Sequence, residues 1–155
     1  MPILSSLALF LVLSVPRSAF AETAPRFPAG FKWCTATSTH QIEGMNQHSD
    51  WCQWEQGVGR VRHGERSGRA ADHWNRWIDD VGLMRELGVN TYRMSVEWAR
   101  LEPRRGEIDW AVVSRYRAEI DLLRASGIEP IITLHHFTFP QWIRDLGGWE
   151  WEGIF

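Results

Sequence analysis

The chain has 155 residues, the length of about one ordinary domain. It carries 17 Lys and Arg against 19 Asp and Glu, a net charge of -2, and implies no basic face for nucleic acid. Ten tryptophans, all after residue 30, serve either as core or as flat faces on which sugar rings or nucleobases stack, and their place in the fold decides which.

Ile3 to Val15 is almost wholly apolar, Pro16 ends the run, and Ala19-Phe20-Ala21 is a small-x-small cleavage site. The pattern predicts a secretory signal peptide over residues 1–21, cut after Ala21, although no Lys or Arg precedes Arg17. An uncleaved membrane anchor is the competing reading, but the run is shorter than the roughly 20 residues a spanning helix needs. No Cys follows the run closely, so a lipoprotein anchor is not indicated. The expected destination is secreted or periplasmic, with no stable membrane anchor. Export would permit a Cys34–Cys52 disulfide; two unpaired, buried thiols fit the sequence equally, because spacing does not show that they meet.

Phe31-Lys32-Trp33-Cys34-Thr35-Ala36-Thr37 is β-branched and aromatic and reads as a buried strand. His40-Gln41-Ile42-Glu43-Gly44 then places several hydrogen-bonding groups in one loop past the strand end. A Gln amide offers a donor and an acceptor together and can grip two neighbouring hydroxyls. A polar loop with a capping role is the plainer reading. The charged stretch from Asp50 to Ala70, with Trp51 and Trp54, is long for a simple connection.

Asp72 is an expected N-cap. Behind it Trp74, Trp77, Ile78, Val81, Met84 and Leu87 recur at helical spacing as a buried stripe, with Asp79 and Asp80 on the polar side and Gly88 closing the helix. Val89 to Val96 is a second strand, with Val89, Thr91, Arg93 and Ser95 on one face. An Arg in such a strand is costly unless a carboxylate or ligand meets it, so Arg93 is either half of a buried ion pair or a site residue. Trp98 to Pro103 reads as a loop, and Trp110, Val113, Tyr116, Ile120 and Leu123 mark a second helix closed at Gly127. Ile128 to Leu134 is a third strand, apolar as one covered on both faces would be, with Val89, Ile132 and Leu134 expected to point inward. His135-His136 follows it; neighbours on a strand face opposite ways, so one zinc ion is not expected to take both, and either could be a satisfied buried histidine.

Strands alternating with helices give an α/β class with parallel pairing. Gln41, Arg93 and His136 each come at or just after a strand's C-terminal end, the face on which (β/α)8 barrels build sites. A doubly wound sheet is similar over this span, but usually carries a Gly-rich phosphate loop after its first strand, which is absent here.

The run Phe31–Gly44 resembles the N-terminal signature of the family 1 glycoside hydrolases, the β-glucosidase family. The likeness continues through Ser49-Asp50-Trp51, Asp72-His73-Trp74, Asn90-Thr91-Tyr92-Arg93-Met94-Ser95, Glu97-Trp98-Ala99-Arg100, Gly127-Ile128-Glu129-Pro130, Thr133-Leu134-His135-His136-Phe137 and Gly147-Gly148-Trp149. It runs in order from Phe27 to the end. The resemblance implies the first three βα units of a (β/α)8 TIM barrel, residues 22–155 being its N-terminal part. It implies that Gln41 and His136 bind hydroxyls of the non-reducing sugar and that Arg93 supports the nucleophile. Cys34 and Phe137 depart from the family, which commonly has Gly and often has Trp there.

The same resemblance implies retaining hydrolysis of β-glycosides by two carboxylates about 5–5.5 Å apart, with no metal or organic cofactor. The family carries them in an Asn-Glu-Pro motif after its fourth strand and a Glu-Asn-Gly motif after its seventh. Glu129-Pro130 follows Ile128 and opens the third strand, and Glu43 and Glu97 match other positions, so neither catalytic residue is expected among these 155. A barrel takes about 250 residues, so the chain reads as a fragment of a longer enzyme, inactive by itself. A different sugar-cleaving (β/α)8 hydrolase and a non-catalytic sugar-binding fragment both remain open.

Overall fold

The computed structural model describes residues 26–154. The predicted signal peptide and its cleavage site lie outside the described residues. Up to Phe31 the described chain is a turn in which the Phe31 amide donates to the Pro28 carbonyl at 3.1 Å, with the Phe27 and Phe31 rings 4.4 Å apart. Everything from Lys32 onward forms one unit.

Three strands, β1 (Cys34–Ala36), β2 (Thr91–Ser95) and β3 (Glu129–Thr133), make a parallel sheet in the order β1-β2-β3. Cys34 pairs with Thr91, and Arg93 with both Ala36 and Ile131. Around them run α1 (Thr39–Ile42), α2 (Asp50–Trp54), α3 (His73–Leu87), α4 (Trp98–Leu101), α5 (Trp110–Ala125) and α6 (Gln141–Asp145). The two long helices are the crossovers between parallel strands, as the alternation predicts. The Asp109 carboxylate caps α5 by accepting from the amides of Ala111 and Val112 at 2.9 and 3.2 Å. Gly88 closes α3 in a left-handed conformation, φ +77°, which costs glycine nothing.

One face of the sheet meets the helices. Tyr92 and Met94 of β2 pack with Val81 of α3, Tyr116 and Leu123 of α5, and Ile128, and Ile132 leans on the same cluster. Thr91, Arg93 and Ser95 alternate to the opposite face. Ile131, in register with Arg93, is 47% exposed there. The inward placement expected for Ile132 is therefore corrected to Ile131: strand parity couples Ile132 to Met94, not to Arg93.

Other local expectations shift as well. The Gln41 segment is a helical turn, not a loop, and so is Trp98–Leu101. Asp72 does mark the start of α3, but its side chain caps no helix amide. It binds Arg69 at 2.5 Å and Asn75 at 2.7 Å instead. Ile78, Leu87 and Trp110, assigned to buried stripes, are exposed, because the helix faces follow the sheet and not the full apolar periodicity. Asp80 leaves the polar side to meet buried His73 at 2.6 Å. Cys34 and Cys52 are free thiols, and Cys34 is exposed.

Candidate active site

The residues that follow β1, β2 and β3 converge at one end of the sheet. Ser38 leads from β1 into α1, whose single turn carries His40 and Gln41. Gly44 then turns the chain at φ +77°, where a Cβ would collide with the Arg69 backbone carbonyl. Met45 continues this contact, its amide donating to the Gly68 carbonyl at 2.6 Å. The long stretch between α2 and α3 is thus folded back against the Gln41 turn. The chain after β1 is also joined to the chain after β3: the Asp50 amide donates to the Phe139 carbonyl at 2.9 Å, the Phe139 amide to the Asp50 carboxylate at 2.9 Å, and the Gln141 amide to the His48 carbonyl at 2.8 Å.

An open cavity of about 440 Å³ results, with Gln41, His40, Trp51, Trp54, Glu55 and Phe137 among its walls. Its aromatic rings touch in sequence: Trp54 and Trp51 are 5.3 Å apart, Trp51 and Phe137 5.2 Å, and Phe137 and His136 5.4 Å. These tryptophans are therefore a wall, unlike Trp74, which packs against the core beneath Arg100 and Arg115. Gln41 is exposed and its amide makes no side-chain hydrogen bond among the described residues.

His136 is half-buried, and its Nδ1 is buried with no hydrogen-bond partner. Burial, then the nearby Arg93 charge, then His135 push its pKa below the ordinary histidine value. The imidazole is accordingly neutral at pH 7, with a ring nitrogen suited to an uncharged hydroxyl. His135 turns to the Trp149 ring, 4.8 Å away, so the two histidines separate. Arg93, between β1 and β3, buries an Nε with no partner and forms no ion pair among the described residues. The buried pair with a neighbouring strand is not what holds it. The structure thus brings His136 and Phe137 beside the Gln41 cavity, with Arg93 acting on His136 from the inner face of β2.

The two glutamates of these segments turn away from the cavity. Glu43 is 2% exposed, receiving the Tyr116 hydroxyl at 2.8 Å and Arg100 Nε at 2.9 Å. Burial pushes its pKa up to about 7 against the pull of Arg100 and Tyr116. Glu97, 1% exposed, receives the Thr39 hydroxyl at 3.0 Å and the Thr138 hydroxyl at 3.0 and 3.1 Å. Sequence reading finds neither network: it places Glu43 and Glu97 only at positions other than the catalytic pair, and does not single out Thr138. No group of three or more His, Cys, Asp or Glu able to hold a metal occurs among the described residues.

Residues 23–155 match the family profile described as Glycosyl hydrolase family 1. The Beta-glucosidase A of Acetivibrio thermocellus is 35% identical over 130 residues, 80% of this chain and 29% of that protein. Among solved structures, a β-glucosidase from Thermotoga maritima in complex with deoxynojirimycin superposes with a TM-score of 0.78 at 35% identity, covering 81% of this chain and 30% of that one. A β-glycosidase from Pyrococcus horikoshii has a TM-score of 0.73 at 48% identity, covering 79% and 28%. The chain spans about 29% of the length of the curated relatives it first matches. Its parallel βα units are those of the (β/α)8 barrel enzymes it superposes on. The chain belongs to glycosyl hydrolase family 1.

Proposed function

We propose that the protein is a retaining β-glycosidase of β-glucosidase type, exported by residues 1–21, and that residues 22–155 supply part of its sugar-holding wall. The observation that carries this reading is the meeting of an uncommitted Gln41 amide with an aromatic-walled cavity that Phe137 joins to His136. A sugar presents flat C–H faces and rings of hydroxyls. Trp51 and Phe137 suit the faces, while the Gln41 amide and the neutral His136 suit the hydroxyls. Two relatives' names point the same way: both are β-glucosidases, one of them in complex with deoxynojirimycin.

In this reading Arg93 offers its guanidinium to the nucleophile carboxylate, since a half-buried cation is stabilised by an anion opposite it. The acid/base and nucleophile act from strands beyond β3, and Glu43 and Glu97 are structural. Hydrolysis would proceed through a glycosyl-enzyme intermediate and retain the β configuration. The test is proton magnetic resonance of the full-length protein with nitrophenyl β-glucoside. The expected first product is β-glucose, appearing before mutarotation. Release of α-glucose, or no turnover of any β-glycoside, would reject the reading.

A further inference from the structure

We infer that Glu97 is a positioning residue, a buried carboxylate that sets the sugar wall by clamping the turns after β1 and β3 across the end of β2. The inference rests on the reading that Gln41 and His136 hold the sugar. Glu97 touches no part of the cavity. Its two oxygens reach Thr39, the residue that opens the Gln41 turn, and Thr138, two residues past His136. Thr39 is held a second time, its amide donating to the Ser95 hydroxyl at 2.9 Å. Glu97 is itself fixed from below, because its backbone amide donates to the Tyr116 hydroxyl at 3.1 Å.

The β3 turn is the part that needs a clamp. Phe137 has φ +55°, a left-handed conformation that is unfavourable for a bulky side chain. The Thr138 amide closes that turn by donating to the His136 carbonyl at 2.8 Å. Strain of this kind persists only where surrounding contacts over-determine it. The Thr138 hydroxyl, bound by both Glu97 oxygens, is such a contact, and it lies next to the strained residue. Released, the turn can relax to negative φ, which would swing the Phe137 ring and the His136 imidazole away from the cavity. A carboxylate suits this job, since it accepts from several donors at once. Burial makes those bonds costly to lose.

The variants Thr138→Val, Glu97→Leu, Glu97→Gln and Gln41→Ala, made in the full-length enzyme, test the clamp. The readings are KM, kcat, the inhibition constant for glucose, and the melting temperature. Thr138→Val keeps the side-chain shape and removes only the hydroxyl. It should weaken glucose binding and raise KM on the order of tenfold, since an ångström-scale misplacement costs up to about a hundredfold. Glu97→Leu, which also releases Thr39 and the Ala99 amide, should do at least the same, and adding Thr138→Val to it should change little, because the contact they share is already gone. Glu97→Gln should recover most of the loss: its amide accepts one hydroxyl and donates to the other. If Glu97→Leu fails to fold, Thr138→Val and Glu97→Gln alone decide. Folded Thr138→Val with wild-type glucose binding, beside a weakened Gln41→Ala, would overturn the clamp and leave the sugar reading standing. Unchanged binding in Gln41→Ala as well would remove both.

Discussion

The Tyr116 hydroxyl donates to Glu43 across 2.8 Å, linking the middle of α5 to the residue just past the Gln41 turn. Arg100 approaches the same carboxylate from α4 at 2.9 Å. Burial nevertheless dominates and lifts the Glu43 pKa from 4.5 to about 7. A raised folded-state pKa means the native protein holds this proton more tightly than the unfolded chain. The resulting stability is full below about pH 4.5 and is lost as pH climbs through about 7. Glu43→Gln, which cannot ionise, should flatten this part of the pH dependence. Melting temperatures read from pH 4.5 to 8 check it; an identical slope in the variant would refute the assignment.

A second buried cluster ties α3 to α5. His73 Nδ1 meets Asp80 at 2.6 Å, Nε2 meets Glu119 at 2.9 Å, and Arg115 meets Glu119 at 2.5 Å. Burial by itself would lower the His73 pKa, but the bonds to Glu119 and Asp80 outweigh it and hold the value up. Burial would likewise raise Glu119, yet His73 and Arg115 bring it below the ordinary carboxylate value. His73 therefore stabilises fully below its ordinary 6.5, losing this as pH rises through the raised value. Glu119 stabilises above its ordinary 4.5, losing this as pH falls through the lowered one. His73→Leu leaves Asp80 without its cation and Glu119 with Arg115 alone, and should cost about 1–3 kcal/mol, read by denaturant unfolding near pH 6. A loss under 1 kcal/mol would contradict the cluster's role.

Much of the scaffold was legible in the sequence and part of the site was not. The alternation of Tyr92 and Met94 with Thr91, Arg93 and Ser95 announced a strand with two unlike faces, and the parallel order followed from helices between strands. Gly88 marked a helix end through local chemistry that needs no tertiary context, whereas Asp72, read as an N-cap, starts α3 without capping it. Ile78 and Leu87 misled because periodicity says which face is apolar, not how much of it a neighbour covers. The Glu97 clamp was hidden for a related reason. Thr39 lies 58 residues from Glu97 and Thr138 lies 41, and no local pattern encodes a contact that only the strand order creates.

Gly44 supplies a backbone test. At φ +77°, with the Arg69 carbonyl where a Cβ would stand, Gly44→Ala faces both a strained conformation and a collision. The cost should exceed about 1 kcal/mol. The displaced segment should also carry Arg66 and Ser67 away from the cavity they line. Thermal melting and glucose inhibition would read the two effects separately, and a variant neutral in both would contradict the packing.

Residues 22–155 expressed alone should neither turn over a β-glucoside nor unfold cooperatively. Ile131 and Leu134 are 47% and 76% exposed, among the described residues β1 and β3 each pair on one side only, and open strand edges invite association. Light scattering and hydrophobic-dye binding should both rise. A monomer with a sharp transition would contradict the expectation.

The most direct measurement of the central claim is kcat/KM of the full-length enzyme on nitrophenyl β-glucoside for wild type, Gln41→Ala and His136→Ala. If these side chains hold sugar hydroxyls more tightly in the transition state, each loses a hydrogen bond to an uncharged group, worth about 0.5–1.5 kcal/mol. That predicts a fall of roughly threefold to tenfold in each, with melting temperatures near wild type for exposed Gln41. Unchanged kcat/KM in both variants would contradict the account.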